Sequence, residues 1–515
     1  MRTITRYLYI LCSALLYTIP FIFPEYTWFL LFFYLAPIIF ISSNNYPFLD
    51  NKHPHFYRLR FCDGFLWGLL VFSLHPAGIW LGVIHMAPIT SYPLYLLLLS
   101  IIIYYALSAG TWFTITDYII RFLPQLLAIL ISTKTSNNTQ PLPIHTQTLT
   151  QAPINNTQTN HTQAPEPTTD NTIQKTVFVW LITTTLYIRW VESYSLSLLT
   201  NLSGYALFSP LLPLLPIYPK LFFIPIFFTQ TIALLLLHLP IVFIILWYHT
   251  KKLLYLMLFF CSCLPWIAGF IVTKKTPPMT TRPTILNNIA WLPFQSTGSD
   301  TLALIVKQKY KKILAQKPET KLIILPESAF YTESLCSTPS NIALWNNTHL
   351  SKTPYIICGS FAREKRDTNT SHFYNTCYLI HDGAIVQKFH KRECVPLIEY
   401  TPEWLCKNSI SKLFFQELPA IDASNNIRKP LVMGNFWRCV PYICSELLLQ
   451  EYADDNHPEL PILALVNDSW VKASYIKNSM QQLARLKAIT WQRDILYISY
   501  TYAIYICKNG SYYTL

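Results

Sequence analysis

Seven apolar runs fill most of the first 272 residues, at about 7–23, 28–41, 65–86, 92–115, 177–199, 221–248 and 253–272. A run of roughly 20 residues with almost no charge leaves a chain few folds. A backbone crossing a bilayer must satisfy its own N–H and C=O groups, and it does so as a helix. The first run follows Arg2 and Arg6, as in a signal peptide. No small-residue cleavage site comes after it and the next run begins at once, so it is read as the first membrane helix. Cys12 follows Leu11 rather than a small residue, which argues against lipid attachment there. In the fifth run Arg189 and Glu192 are costly in lipid and are expected to face the bundle interior or lie near its end. The Pro-rich stretch 209–219 cannot be a straight helix and is read as an outside loop or a re-entrant segment.

The basic residues between the runs set an orientation. Arg2/Arg6, Lys52/Arg58/Arg60, Arg121/Lys134 and Lys251/Lys252 fall on alternate loops, which the positive-inside rule assigns to the cytoplasm. The chain beyond residue 272 is then expected on the opposite face; Lys274, Lys275 and Arg282 point the other way but are outnumbered. These clusters account for the net charge of +13 in a chain only 13% charged. No basic groove interleaved with aromatics is legible, so nucleic acid is not an expected partner. Residues 133–173 are dominated by Thr, Asn, Gln and Pro and cannot bury enough apolar surface to offset ordering, so they are expected to be a disordered spacer. The 12 cysteines form no CxxC pair and no zinc-ligand spacing with histidine. Their spacing defines no disulfide pattern.

Beyond residue 284 the pattern shortens to that of a mixed α/β domain. Ser299/Asp300 can cap a helix running to about residue 316. Strands are expected at 321–325, 355–358, 375–381, 384–388, 440–443, 462–466 and 495–507, with hairpin signals at Asp382-Gly383 and Asn509-Gly510. A helix is expected at 475–491.

Three residues at strand ends carry candidate chemistry. Val440-Pro441-Tyr442-Ile443 is a buried strand that ends on Cys444, followed two residues later by Glu446. Glu327 follows the strand at 321–325, and Lys391 follows the hairpin strand. Each has an ordinary reading: cysteine is commonly a small core residue, Glu327 could cap a turn, and His390-Lys391-Arg392-Glu393 could be a solvated face. Together they make a reaction. A thiol is only a few per cent ionised at neutral pH, a nearby carboxylate can take its proton, and a lysine ammonium can stabilise the oxyanion formed on attack at an acyl carbon. The backbone N–H after the cysteine is a natural second donor.

Leu325-Pro326-Glu327-Ser328-Ala329, Phe389-His390-Lys391-Arg392 with Val395-Pro396 and Glu399-Tyr400, and Ile443-Cys444-Ser445-Glu446 resemble the Glu–Lys–Cys motifs of the nitrilase superfamily. With several membrane helices ahead of them, they resemble the apolipoprotein N-acyltransferase family of bacterial inner membranes. Tyr374-Asn375, Asn467-Asp468-Ser469-Trp470 and Ala484-Arg485 extend the resemblance. It implies a multi-pass α-helical membrane domain followed by a nitrilase-like αββα sandwich facing the periplasm. The division is 1–132 for helices one to four, 133–173 for the insert, 174–273 for helices five to seven, and 284–515 for the catalytic domain. Cys444 would be the nucleophile, Glu327 the general base and Lys391 the oxyanion stabiliser, with Glu399 and Glu446 supporting the site. A phospholipid would donate an acyl chain to the thiol, and the free amine of a diacylglyceryl apolipoprotein would accept it. Membrane lipid is thus both surroundings and partner; no metal or organic cofactor is implied, and the protein would act as a monomer.

The family pattern has an aromatic where Ser445 stands, Phe-Gly where Val471-Lys472 stand, and Gln-His where Ser479-Met480 stand. It also continues with further strands and a last membrane helix, so a domain truncated at its C-terminus is expected. Two other readings use the same residues: a membrane-tethered nitrilase-type amidase, in which water resolves the acyl-enzyme, and a degenerate, non-catalytic membrane relative.

Overall fold

The structure, a computed structural model of the chain, describes residues 2–43, 56–77, 92–136, 169–193, 206–215, 230–275, 282–293, 301–330, 353–365, 371–395, 399–400, 421–424, 427–449, 453, 456–471 and 473–515. The first half is helical: α1 (Arg2–Ile22), α2 (Leu35–Ser43), α3 (Phe56–Leu74), α4 (Tyr92–Ser136), α5 (Thr169–Ser193), α6 (Gln230–Thr250) and α7 (Leu253–Lys275). Among the described residues three stretches, Ile4–Ile22, Leu99–Phe122 and Thr231–Thr250, are long and apolar enough to cross a membrane. They correspond to the first, fourth and sixth expected runs. The seventh supplies a shorter apolar stretch, Leu253–Ile267, and the second is broken into a 3-10 turn, Trp28–Phe32, followed by α2.

Several expected boundaries are wrong, and charge pairing explains the largest error. Helix α3 starts at Phe56 rather than residue 65, because the charges read as a loop are neutralised inside the bundle. Arg60 donates from Nε to Asp117, from Nη2 to Ser42 Oγ at 2.7 Å, and from Nη1 to Asp63 at 3.3 Å. Arg6 Nε donates to Asp63 at 2.6 Å. Helix α4 likewise passes the expected end at 115 and continues through Arg121, whose guanidinium lies 3.5 Å from the centroid of the Phe56 ring. Residues 133–136 and 169–172, read as ends of the spacer, are helical. The rest of that expected segment, 137–168, lies outside the described residues, as do 78–86 and 221–229 of the third and sixth runs, 194–199 of the fifth, and the Ser299/Asp300 cap. Of the Pro-rich stretch, residues up to 215 form 3-10 turns with Leu211, Leu212, Leu214 and Leu215 at most 1% exposed, so this part is interior rather than an outside loop. Glu192 is buried and pairs with Arg189 at 2.9 Å. Helices α3 and α4 touch closely: a Cβ on Gly64 would lie 2.4 Å from the Ala109 carbonyl oxygen.

The second half is a sandwich of two sheets. The first has five strands in the order β1 (Ile289–Trp291), β2 (Leu322–Ile324), β3 (Tyr355–Lys365), β4 (Ser371–His381), β5 (Ala384–His390). The second has six, in the order β11 (Tyr512–Thr514), β10 (Ala503–Ile506), β9 (Ile495–Ile498), β8 (Ile462–Leu465), β7 (Trp437–Ile443), β6 (Leu431–Met433). Alternation sorts the side chains into layers. Leu322, Ile324, Ile357 and Leu379 of one sheet share a core with Cys439, Ile443, Leu463 and Ile498 of the other. The outer face of the first sheet packs Ile323, Ile356 and Tyr378 on Tyr310 and Leu314 of α8 (Thr301–Gln316). The outer face of the second packs Val440, Tyr442, Ala464 and Tyr497 on Met480, Leu483 and Ala484 of α10 (Ser474–Trp491). The layering is therefore α-β-β-α. The last core runs without a break into the helical half, taking in Tyr17, Trp67, Phe208 and Leu212. The chain is a helical membrane half followed by an α/β sandwich of the expected class.

Strands β2, β3 and β5 run one way, since β2 pairs parallel with β3 while β4 is antiparallel to both β3 and β5. Strands β7, β8 and β9 are mutually parallel. Glu327, Lys391, Cys444 and Asn467 all follow the carboxyl ends of such strands, where open α/β sheets gather their ligands. The run 495–507, expected as one strand, is two antiparallel strands joined by a turn at 499–502.

Candidate active site

Cys444 sits where β7 gives way to α9 (Ser445–Leu449). Its amide donates to the Leu465 carbonyl of β8 at 2.8 Å, and its own carbonyl accepts from Leu447 at 3.1 Å, so strand and helix bonding meet on one residue. That junction forces φ to +47°, a left-handed value rare for a residue with a Cβ. The thiol is half-buried and lies close enough to Glu327 and Lys391 for both charges to act on it.

Glu327 is held from several directions. Its Oε1 accepts from Asn375 Nδ2 at 2.8 Å and from Lys391 Nζ at 3.4 Å, and its Oε2 accepts from the Asn467 amide at 2.8 Å. Ser328 beside it has φ +50°. Gly359 of β3 lets this bend approach the sheet: a Cβ there would lie 2.6 Å from Glu327 Cα. Lys391, 1% exposed, donates to Glu399 Oε1 at 2.9 Å. Asn375 Nδ2 bridges the two carboxylates, reaching Glu399 Oε1 at 3.0 Å, and Glu399 Oε2 accepts from the Val395 amide at 2.6 Å. Lys391 thus lies between two carboxylates, one of which reaches the thiol.

Glu446 answers a different need. Strand β6 ends its pairing with β7 at Leu431 opposite Cys439, so residues 440–443 have no strand neighbour on that side. Arg428 and Glu446 replace it. Arg428 Nη1 donates to the Pro441 carbonyl at 2.7 Å and to Glu446 Oε2 at 3.1 Å. Glu446 Oε2 accepts from the Ile443 amide at 2.6 Å, and Oε1 accepts from the Arg392 amide at 2.8 Å. Pro441 has no N–H to leave unpaired, which is why proline is tolerated there. The pair is fully buried and ties the strand of Cys444 to the loop of Lys391. Arg428 escaped the sequence reading because an arginine beside Asn425-Asn426 looks like a surface charge.

Burial raises the pKa of Glu327; Lys391 opposes the shift and Glu399 reinforces it. Burial pulls the Lys391 ammonium down, but Glu399 and Glu327 outweigh it and hold its pKa above that of ordinary lysine. Burial, followed by Glu327, pushes the Cys444 thiol up. The resting thiol is protonated beside a carboxylate able to take its proton and an ammonium that stays charged.

No family model matches the chain. Among curated proteins it is 29% identical over 197 residues to an apolipoprotein N-acyltransferase of Aquifex aeolicus (37% of this chain, 40% of the relative). It is 26% identical over 184 residues to one of Pseudomonas aeruginosa (35% of each). The chain is similar to the apolipoprotein N-acyltransferases. The matches span 40% or less of these relatives' length. A carbon-nitrogen hydrolase structure from Helicobacter pylori aligns over 44% of this chain and 82% of its own, with 13% identity and a TM-score of 0.30. Both acyltransferases are bacterial, and three helices among the described residues of this chain are long and apolar enough to cross a membrane.

The departures from the acyltransferase pattern have local structural roles. Ser445 Oγ donates to the Glu393 carbonyl at 2.5 Å, pinning the turn after the thiol to the Lys391 loop. Val471 and Met480 are buried in the core shared with the helical half. Ser479 Oγ returns to the Tyr475 carbonyl at 3.0 Å. Lys472 lies outside the described residues.

Proposed function

We propose that this chain transfers a fatty acyl group from a phospholipid to the free N-terminal amine of a diacylglyceryl-cysteine lipoprotein, with residues 284–515 as the catalytic domain. The observation that carries the reading is the Cys444 thiol on a left-handed strand tip, gathered with the paired Glu327 and Lys391 at the carboxyl ends of neighbouring strands. Glu327 takes the thiol proton, and the thiolate attacks the donor ester carbonyl. The oxyanion is stabilised by Lys391 and by the N–H of Ser445, the first residue of α9, a position whose amide a helix leaves unbonded. Collapse forms the thioester and returns the proton from Glu327 to the departing lysophospholipid hydroxyl. The acceptor amine then attacks the thioester, Glu327 takes its proton, the amide forms and the thiolate leaves to be reprotonated. Glu399, Asn375 and Glu446 hold the reacting groups without changing covalently.

An inner-membrane location with the sandwich on the periplasmic side fits the charge distribution. Arg6, Arg60 and Arg121 meet at one end of the bundle around Asp63, Asp117 and Phe56. At the other end, Tyr475 of α10 donates to the His75 carbonyl at 3.1 Å, and α10 packs on the buried turns near residues 206–215. The basic end is therefore opposite the sandwich, as positive-inside placement requires.

The test is intact mass spectrometry after incubation with phospholipid, beside Cys444→Ala. A fatty-acyl increment that hydroxylamine removes, absent from the variant, is expected; an added diacylglyceryl peptide should discharge it and become N-acylated. Folded protein with no increment overturns the assignment. Discharge by water with ammonia released from small amides would instead favour the amidase reading.

A further inference from the structure

Glu327 has a second anchorage that its reaction partners do not supply. Tyr500 Oη donates to the Glu327 backbone carbonyl at 3.0 Å. That carbonyl opens the peptide leading into Ser328, the residue at φ +50°, so the bond lands where the backbone most needs holding. Tyr500 is itself held by a buried carboxylate. Asp468, 0% exposed, accepts the Tyr500 amide on Oδ1 at 3.0 Å and the Ser499 hydroxyl on Oδ2 at 2.9 Å. Ser499 Oγ in turn accepts the amides of Thr501 at 3.1 Å and Tyr502 at 2.9 Å, which knits the turn between β9 and β10 into one unit. Asn467, the residue before Asp468, gives its amide to the Glu327 carboxylate at 2.8 Å. The Asn467-Asp468 pair therefore reaches Glu327 twice, directly at the carboxylate and through Tyr500 at the backbone.

We infer that Asp468 and Tyr500 are positioning residues for the general base: the β9–β10 turn, seated on Asp468, fixes the Glu327–Ser328 peptide so that the carboxylate stays within reach of both Cys444 and Lys391. This rests on the acyltransferase reading of the site. Tyr500 meets Glu327 at its backbone carbonyl and not at the carboxylate that takes the proton. The effect of the two positioning residues falls on proton transfer from the thiol and from the acceptor amine, not on lipid binding. The phenol of Tyr500 fills a role that needs length: it spans from the second sheet to the bend after β2 of the first, and a shorter hydroxyl on the same turn would not reach.

The test uses Tyr500→Phe, which removes one oxygen and keeps the ring, with Asp468→Asn as the second variant. Asn keeps the size of Asp468 but offers one acceptor for two donors. Thioester formation is followed in single turnover in the full-length protein, together with its pH profile, the KM for phospholipid and the melting temperature. The groups facing Glu327 that could colour that profile are Lys391, Glu399, Cys444 and Tyr497. Tyr500→Phe is expected to slow thioester formation by about 10-fold, the scale of one well-placed hydrogen bond, with an unchanged phospholipid KM. The acid limb should move to higher pH, because a loosened Glu327 loses contacts that favour its ionised form. Asp468→Asn should do the same. Two outcomes overturn the inference while leaving the acyltransferase reading intact: a wild-type rate and acid limb in both variants, or a fall in melting temperature with the limb unmoved. Absence of thioester in the wild-type protein would instead remove the reading on which the inference rests.

Discussion

The molecule buries two clusters of charge, and they are built to opposite ends. In the helical half, Arg6, Arg60 and Arg121 gather around Asp63 and Asp117, three cations for two anions. In the sandwich one ammonium, Lys391, faces two carboxylates, Glu327 and Glu399, with a thiol beside them. The first cluster has a cation for every carboxylate. The second carries a surplus carboxylate in a low-dielectric site, which is why burial lifts Glu327 and Cys444 together. Equal burial thus gives a fastener in one place and a proton-transfer site in the other, and the counting of charges separates them.

That contrast can be broken at four points. Cys444→Ala should abolish the thioester entirely while leaving the fold, as judged by mass spectrometry and circular dichroism. Glu327→Gln keeps the shape but cannot take a proton; single-turnover acylation should fall by about 10²–10⁴-fold with little change in stability. Arg60→Met should do the reverse. It takes the paired guanidinium from Asp117 while Asp63 keeps Arg6, and a buried pair broken from one side costs about 3–5 kcal/mol, read as a lower melting temperature in detergent, with the turnover of the remaining folded protein unchanged. A double replacement, Arg60→Met with Asp117→Leu, should recover part of that loss. The smallest effect is expected for Ser328→Gly, which relieves a left-handed residue and should stabilise the fold by about 0.5–1 kcal/mol, since the strain relieved is partly offset by the freedom glycine gains when unfolded.

The pH dependence sharpens the same contrast. On the mechanism proposed above, acylation requires ionised Glu327, and burial, together with Glu399, raises its pKa. The rate should therefore fall as pH drops through a value above the ordinary carboxylate range. Lys391 is held above ordinary lysine by its two carboxylates and should stay charged through neutrality, so its loss should not set the upper limb there.

Most of the sandwich was legible because its strands are short apolar runs with turn residues between them. The strands not named, β1, β6 and β11, are three residues each and carry no period of their own, although the Asn509-Gly510 turn signalled a hairpin before the last. The break inside 495–507 was hidden because what makes it is Asp468, some 30 residues away, bonding to Ser499 and Tyr500. In the helical half the misplaced ends of α3 and α4 share one cause. Arg60 and Arg121 were read as water-facing, but Asp117 and Phe56 give them partners that only the fold brings near. The three strand-end residues, Glu327, Lys391 and Cys444, were named from motif order, and the structure brings them together. Arg428 and Tyr500 were not named, because each acts through a backbone carbonyl, and no pattern of residue types records which carbonyl lacks a partner.

Helix α10 lies with one face on the second sheet and another on the buried turns of the helical half, inside a single core. A joint of that kind has no slack for swivelling. The height of the thiol above the bundle is then a constant of the fold, and on the proposed reading an ester bond deep among the tails or high among the headgroups would have to travel to that level by itself. On the reading proposed above, the protein would be a gauge as much as a tool: it would sample one depth of the leaflet, and lipids that seldom bring their carbonyls to that depth would go unread.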